Sequence, residues 1–62
     1  LLRELENHLK QSNVRVLLVE TSGNPEFALT RKFYVQNGYV LEASIRDFYK
    51  EGEDKIVFWK KL

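Results

Sequence analysis

The chain has 62 residues and a mass of 7.4 kDa, with ten basic residues against nine acidic ones and a net charge of +1. A composition 44% hydrophobic and 31% charged excludes an intrinsically disordered segment, and the near balance of charge leaves no basic footprint for nucleic acid. With no cysteine and a single histidine, His8, the sequence holds no disulfide and no zinc-type ligand set.

Leu1, Leu2, Leu5 and Leu9 recur at the spacing of one helical face, and Arg3, Glu4, Glu6, Asn7 and Lys10 fall mainly on the other. This predicts an amphipathic helix. No Ser, Thr, Asp or Asn opens it, so its start is expected upstream of Leu1. Gln11-Ser12-Asn13 ends it, and His8 reads as a surface position. Val14 to Val19 is aliphatic on both faces near its centre, the pattern of a strand covered on both sides in an α/β sheet. Glu20 to Pro25 reads as the turn out of that strand. Asn24 followed by Pro25 is a helix-start signal, with Asn as cap and Pro at the first helical position. A second helix is predicted from about Pro25 to Asn37, stopped by Gly38 in the left-handed conformation. Tyr39 to Arg46 alternates as a strand with one more polar face. Asp47 to Asp54, containing Gly52, reads as a connection. Lys55 to Leu62 is a final strand, apolar at Ile56, Phe58 and Leu62, with Trp59 as strand packing.

The stretch Phe33-Tyr34-Val35-Gln36-Asn37-Gly38-Tyr39 closes the second helix with a tyrosine, three residues, a glycine and an aromatic residue that opens a strand. It resembles the GNAT superfamily of acyl-CoA-dependent N-acetyltransferases, whose corresponding helix ends in Tyr-x-x-x-Gly-aromatic. The element order, the Val14–Val19 strand, and the runs Thr30 to Tyr34 and Arg46 to Lys55 extend that resemblance over the whole chain. The resemblance implies the C-terminal half of an acetyltransferase domain, so residues 1–62 are read as one partial domain. The phosphate-binding turn of the superfamily, Arg/Gln-x-x-Gly-x-Gly/Ala, does not occur in these residues, although a helix start suits a pyrophosphate. The Asn and Ala that many members carry seven and four residues before the tyrosine are Phe27 and Thr30 here.

The resemblance implies acetyl-CoA as co-substrate, no metal, and a small-molecule amine as acceptor. It places Tyr34 as donor of the leaving-group proton, a role suited to a phenol that stays protonated at neutral pH. Tyr34 would then also lie against the cofactor. Glu20, at the carboxyl end of the first strand where ligands gather in open sheets, is the candidate base. Thr21 and Ser22 are candidate hydrogen-bond partners of the pantetheine arm. Asp47, Phe48 and Tyr49 are candidate walls of the acceptor pocket. Arg31 and Lys32 offer diffuse charge to CoA phosphates or a solvated helix face.

The expected fold is α/β: helix, strand, helix, strand, strand around a three-stranded sheet of mixed direction. The first two strands should run parallel with the last antiparallel between them, and the two helices should flank opposite faces. A competing reading is a non-catalytic assembly module. It pairs through the Val14–Val19 edge with a second copy or with a separate N-terminal half. An RNA-binding sheet is disfavoured, because the Lys/Arg-Gly-aromatic signature is absent. No apolar run approaches the roughly 20 residues of a membrane span, no leader peptide is recognisable, and the lack of cysteine suits a cytoplasmic protein.

Overall fold

The structure, a computed structural model, describes residues 2–62; Leu1, which the leucine spacing assigns to the first helix, lies outside them. Helix α1 spans Leu2–Gln11. Asn13 ends it at φ 68°, a left-handed conformation that Asn tolerates better than most residues. The N–H of Val14 then returns to the carbonyl of Leu9 at 3.0 Å. Strand β1 spans Val16–Ser22. It starts later than the aliphatic run predicts and absorbs Glu20, Thr21 and Ser22, which are strand residues and not a turn.

A short 3-10 turn over Pro25–Phe27 leads into helix α2, Ala28–Gln36. Asn24 precedes Pro25 in extended geometry, but its side chain makes no capping bond. Its N–H instead takes the Ser22 hydroxyl oxygen as acceptor at 3.1 Å. Gly38 stops α2 at φ 89°, as the sequence predicts. Strand β2 spans Val40–Lys50 and β3 spans Glu53–Lys61. The predicted loop from Asp47 to Asp54 is therefore mostly strand, closed by a turn at Glu51-Gly52.

The spatial order is β1-β3-β2. β1 and β2 run in the same direction and β3 runs antiparallel between them, as expected. Strand directions are mixed, while both ladders are antiparallel because the parallel strands are not neighbours. Register and the two-residue side-chain period sort the faces. Val19 pairs with Phe58 and Leu17 with Lys60 on one face; Leu18 pairs with Trp59, and Trp59 with Val40, on the other.

Both helices engage the first of these faces. Tyr34 of α2 packs on Phe58 with ring centroids 5.8 Å apart. Glu6 of α1 accepts a hydrogen bond from Lys60 Nζ at 2.9 Å. The expected opposite-face arrangement is thus not found. The second face keeps Leu18 at 55% and Val40 at 57% exposure. The doubly apolar pattern of β1 therefore reflects one face under the helices and one face left bare.

The core is small. Tyr39 and Phe58 are each 3% exposed. Burial of the Tyr39 phenol is compatible with its polar end because its hydroxyl donates to Glu6 Oε2 at 2.7 Å. Lys60 Nζ also donates to the Asn37 carbonyl at 2.7 Å. Glu6 thus ties α1 to the start of β2 and to β3. These hydrogen bonds, first from Tyr39 and then from Lys60, hold its carboxyl below the ordinary carboxylate value. Burial, and next the bond to Glu6, push the Tyr39 phenol well above its ordinary value.

Candidate active site

The carboxyl end of β1 is where three parts of the chain meet. β1 delivers Glu20, Thr21 and Ser22. The 3-10 turn delivers Phe27, and the β2–β3 hairpin delivers Tyr49 and Glu53. Together they line a hollow of about 410 Å³. Four of the residues picked from sequence, Glu20, Thr21, Ser22 and Tyr49, converge there. Phe27 and Glu53 are lining residues that the sequence reading did not select. In the sequence, Phe27 stands where many members of the family carry asparagine, and Glu53 falls in the stretch that reads as a connection.

Ser22 is the buried polar residue of this end, 6% exposed. Its hydroxyl donates to Glu53 Oε2 at 2.8 Å while accepting the Asn24 N–H. Its hydroxyl thus both donates and accepts within the protein. Thr21 makes no side-chain hydrogen bond among the described residues and remains free for one. Arg31 donates from Nη1 to the carbonyls of Ser22 at 2.7 Å and Asn24 at 2.9 Å. Its guanidinium fastens α2 to the exit of β1.

Glu20 forms an ion pair with Lys55 at 2.8 Å. The Lys55 ammonium also sits 4.3 Å from the centroid of the Phe48 ring. Phe48 is edge-on to Tyr49, with centroids 5.2 Å apart, and its face is turned to Lys55. Asp47 is engaged in the hairpin. It stands at φ 55°. Its N–H donates to Asp54 Oδ1 at 3.0 Å, and its own Oδ1 accepts the Gly52 N–H at 2.9 Å. Of the three predicted pocket walls, only Tyr49 lines the hollow.

Tyr34 does not line it. Its ring lies within 5.4–5.8 Å, centroid to centroid, of Phe33, Tyr39 and Phe58. Three aromatic neighbours fix the ring by offset and edge contacts, and its hydroxyl makes no hydrogen bond among the described residues. The contrast with Tyr39 is direct: one phenol is bound to Glu6, the other is uncommitted. Glu20 projects from the sheet face opposite Phe58, so Tyr34 and Glu20 are not brought together. A larger hollow of about 560 Å³ lies at the other end of β1, beside Val16, Trp59 and Leu62. It contains none of the acid–base candidates. No group of three metal-ligating side chains occurs among the described residues, and no helix among them is long and apolar enough to cross a membrane.

No family profile and no curated protein sequence matches the chain. A solved structure does. It is a protein from Desulfovibrio desulfuricans, assigned provisionally as an acetyltransferase of the GNAT family. The two superpose with a TM-score of 0.97 at 38% sequence identity, over 98% of this chain and 38% of the other. The chain therefore spans well under half the length of the relative it matches.

Proposed function

Because the chain belongs to the GNAT superfamily over almost its whole length, we propose that it is the C-terminal part of an acyl-CoA-dependent N-acetyltransferase that acts on a primary amine. The observation that carries this reading is the 38% identity combined with near-complete superposition. The Tyr34-to-Gly38 spacing sits inside the matched region. The remaining length of such an enzyme would supply the phosphate-binding turn and the strand beside β1.

Acetyl-CoA, when bound, supplies an activated acyl group and a thiolate leaving group. On this reading, Tyr34 contributes a proton. Its ring is held by three aromatic neighbours and its hydroxyl is uncommitted, so it is free to protonate the departing thiolate as the acceptor nitrogen forms its bond to the acyl carbon. Thr21 is the available hydroxyl for the pantetheine arm. Glu20, paired with Lys55, is the candidate base within these residues, directly or through water.

The test is Tyr34→Phe in the full-length protein. Turnover should fall about a hundredfold, within the usual range for loss of a general acid, with acetyl-CoA affinity retained. Unchanged turnover across the pH range would remove the proton-donor role.

A second reading is favoured by the bare β1 edge: an assembly module that pairs β1 with another strand, in a second copy or in a separate chain. It shares with the first the need for a partner beside β1. Reconstitution separates them, because an assembly module gains mass on pairing without gaining acetyl transfer.

A further inference from the structure

The hollow at the start of β1, far from Glu20, has a volume of about 560 Å³ and falls in the size range of small-molecule sites. Its floor is apolar: Val16, Trp59 and Leu62 line it, and all three are half-buried. Its rim is cationic, made of exposed Lys10, Arg15 and Lys61. The ion pairs among the described residues use Lys55 and Lys60. Lys10, Arg15 and Lys61 have none there, and no acidic side chain lines the hollow. Backbone bonds set its frame. The N–H of Val14 is tied to the carbonyl of Leu9 at 3.0 Å, and the N–H of Leu62 to the carbonyl of Arg15 at 2.9 Å.

Three unneutralised cations around one hollow set the charge of what fits it. The Arg15 guanidinium suits a carboxylate or phosphate held by two parallel bonds, and the Lys10 and Lys61 ammoniums add point charge. The Trp59 indole offers a face on which a planar ring stacks. The site at the other end of β1 does not extend this far. The strand rises about 3.3 Å per residue, so its seven residues hold the two hollows roughly 20 Å apart. We propose that this hollow is a separate binding site for a small aromatic anion, an aryl carboxylate or aryl phosphate, with its charge at the rim and its ring on Trp59. This goes beyond the transferase reading above and does not depend on it.

The experiment is titration calorimetry of the full-length protein with phenyl phosphate, benzoate, inorganic phosphate and benzyl alcohol. At least one aromatic anion should bind about tenfold more tightly than either inorganic phosphate or benzyl alcohol, and the tighter of the two identifies the anionic group that is recognised. Arg15→Gln, at an exposed position where folding is not at stake, should weaken that binding about tenfold, the order expected for loss of a charge-assisted hydrogen bond. Trp59→Leu should weaken it severalfold through the lost ring contact. Saturating acetyl-CoA should leave it unchanged. Binding of neither aromatic anion overturns the proposal, as does binding that survives Arg15→Gln. Inorganic phosphate bound as tightly as phenyl phosphate overturns it by reducing the hollow to a diffuse basic patch. Displacement of the aromatic anion by acetyl-CoA overturns it by placing that ligand in the co-substrate site.

Discussion

The sheet has two outer edges, and they are built differently. β1 pairs with β3 through seven consecutive residues without a shift, and Glu20 is its one charged residue. β2 shifts register between Leu41 and Ala43 and again between Ile45 and Lys50. It also passes through a left-handed Asp47 and carries Glu42, Arg46, Asp47 and Lys50. Bulges and charges are the means by which proteins prevent an edge from recruiting another strand. The β2 edge has both protections, whereas the β1 edge has no bulge and the single charge of Glu20. A regular, aliphatic, unprotected edge belongs in the interior of a wider sheet. This agrees with a chain that matches 38% of its relative's length.

The sharpest way to break this comparison is to place a charge on each side. In the full-length protein, Leu18→Lys should cost about 3 kcal/mol or more, because an interior strand would bury the ammonium unpaired. Ile45→Lys should stay within about 0.5 kcal/mol. Chemical denaturation of both variants checks this, and equal costs would remove the distinction. The 62-residue chain alone should associate through β1 in sedimentation, and Leu18→Lys should return it to monomer where Ile45→Lys does not.

A smaller effect concerns the contact that joins the segments leading to both edges. Tyr39→Phe removes the bond to Glu6 and should cost about 1 kcal/mol, read from the thermal midpoint. The same contact sets a pH dependence. The carboxyl of Glu6 is held below the ordinary 4.5, so its contribution is complete above that pH and is lost as pH falls through the lower folded value. Glu6→Gln should flatten the acid limb of the stability profile. The smallest effect sharpens the account of the protected edge. Gly52 stands at φ 83° with open space around it, so Gly52→Ala should cost about 1 kcal/mol through backbone strain alone. Gly52→Asn should cost less, because Asn tolerates this conformation.

The elements that were legible in the sequence are those with strong local chemistry. Gly38 ends α2 because a left-handed residue is required there, and the aliphatic run marks β1 because its period is unmistakable. The boundaries that moved are those where polar residues lie in strands. Glu20 to Ser22 looks like a turn, but pairing with Lys55 to Val57 keeps it extended. Asp47 to Lys50 looks like a loop because a bulge disrupts its alternation. The placement of both helices on one face was illegible because it depends on where Lys60 and Phe58 point, which register decides. Of the site, Tyr34 is marked by its spacing to Gly38. Glu53 carries no local signal. It becomes visible only when the hairpin brings it to Ser22, 31 residues away in sequence.

β3 lies in the middle of the sheet yet follows both neighbours in the chain. β1 and β2 have no ladder with each other, so within residues 2–62 each pairs with β3 alone. On the ribosome, the two ladders of this unit would form only once Glu53–Lys61 had left the exit tunnel. Closure of Glu6 on Lys60, 54 residues apart, then comes at the end of that sequence. Contacts this distant are slow to form and leave unpaired strands exposed meanwhile. β3 thus sets the timing for this three-stranded unit, and loss of Glu53–Lys61 would remove both ladders and not merely one edge.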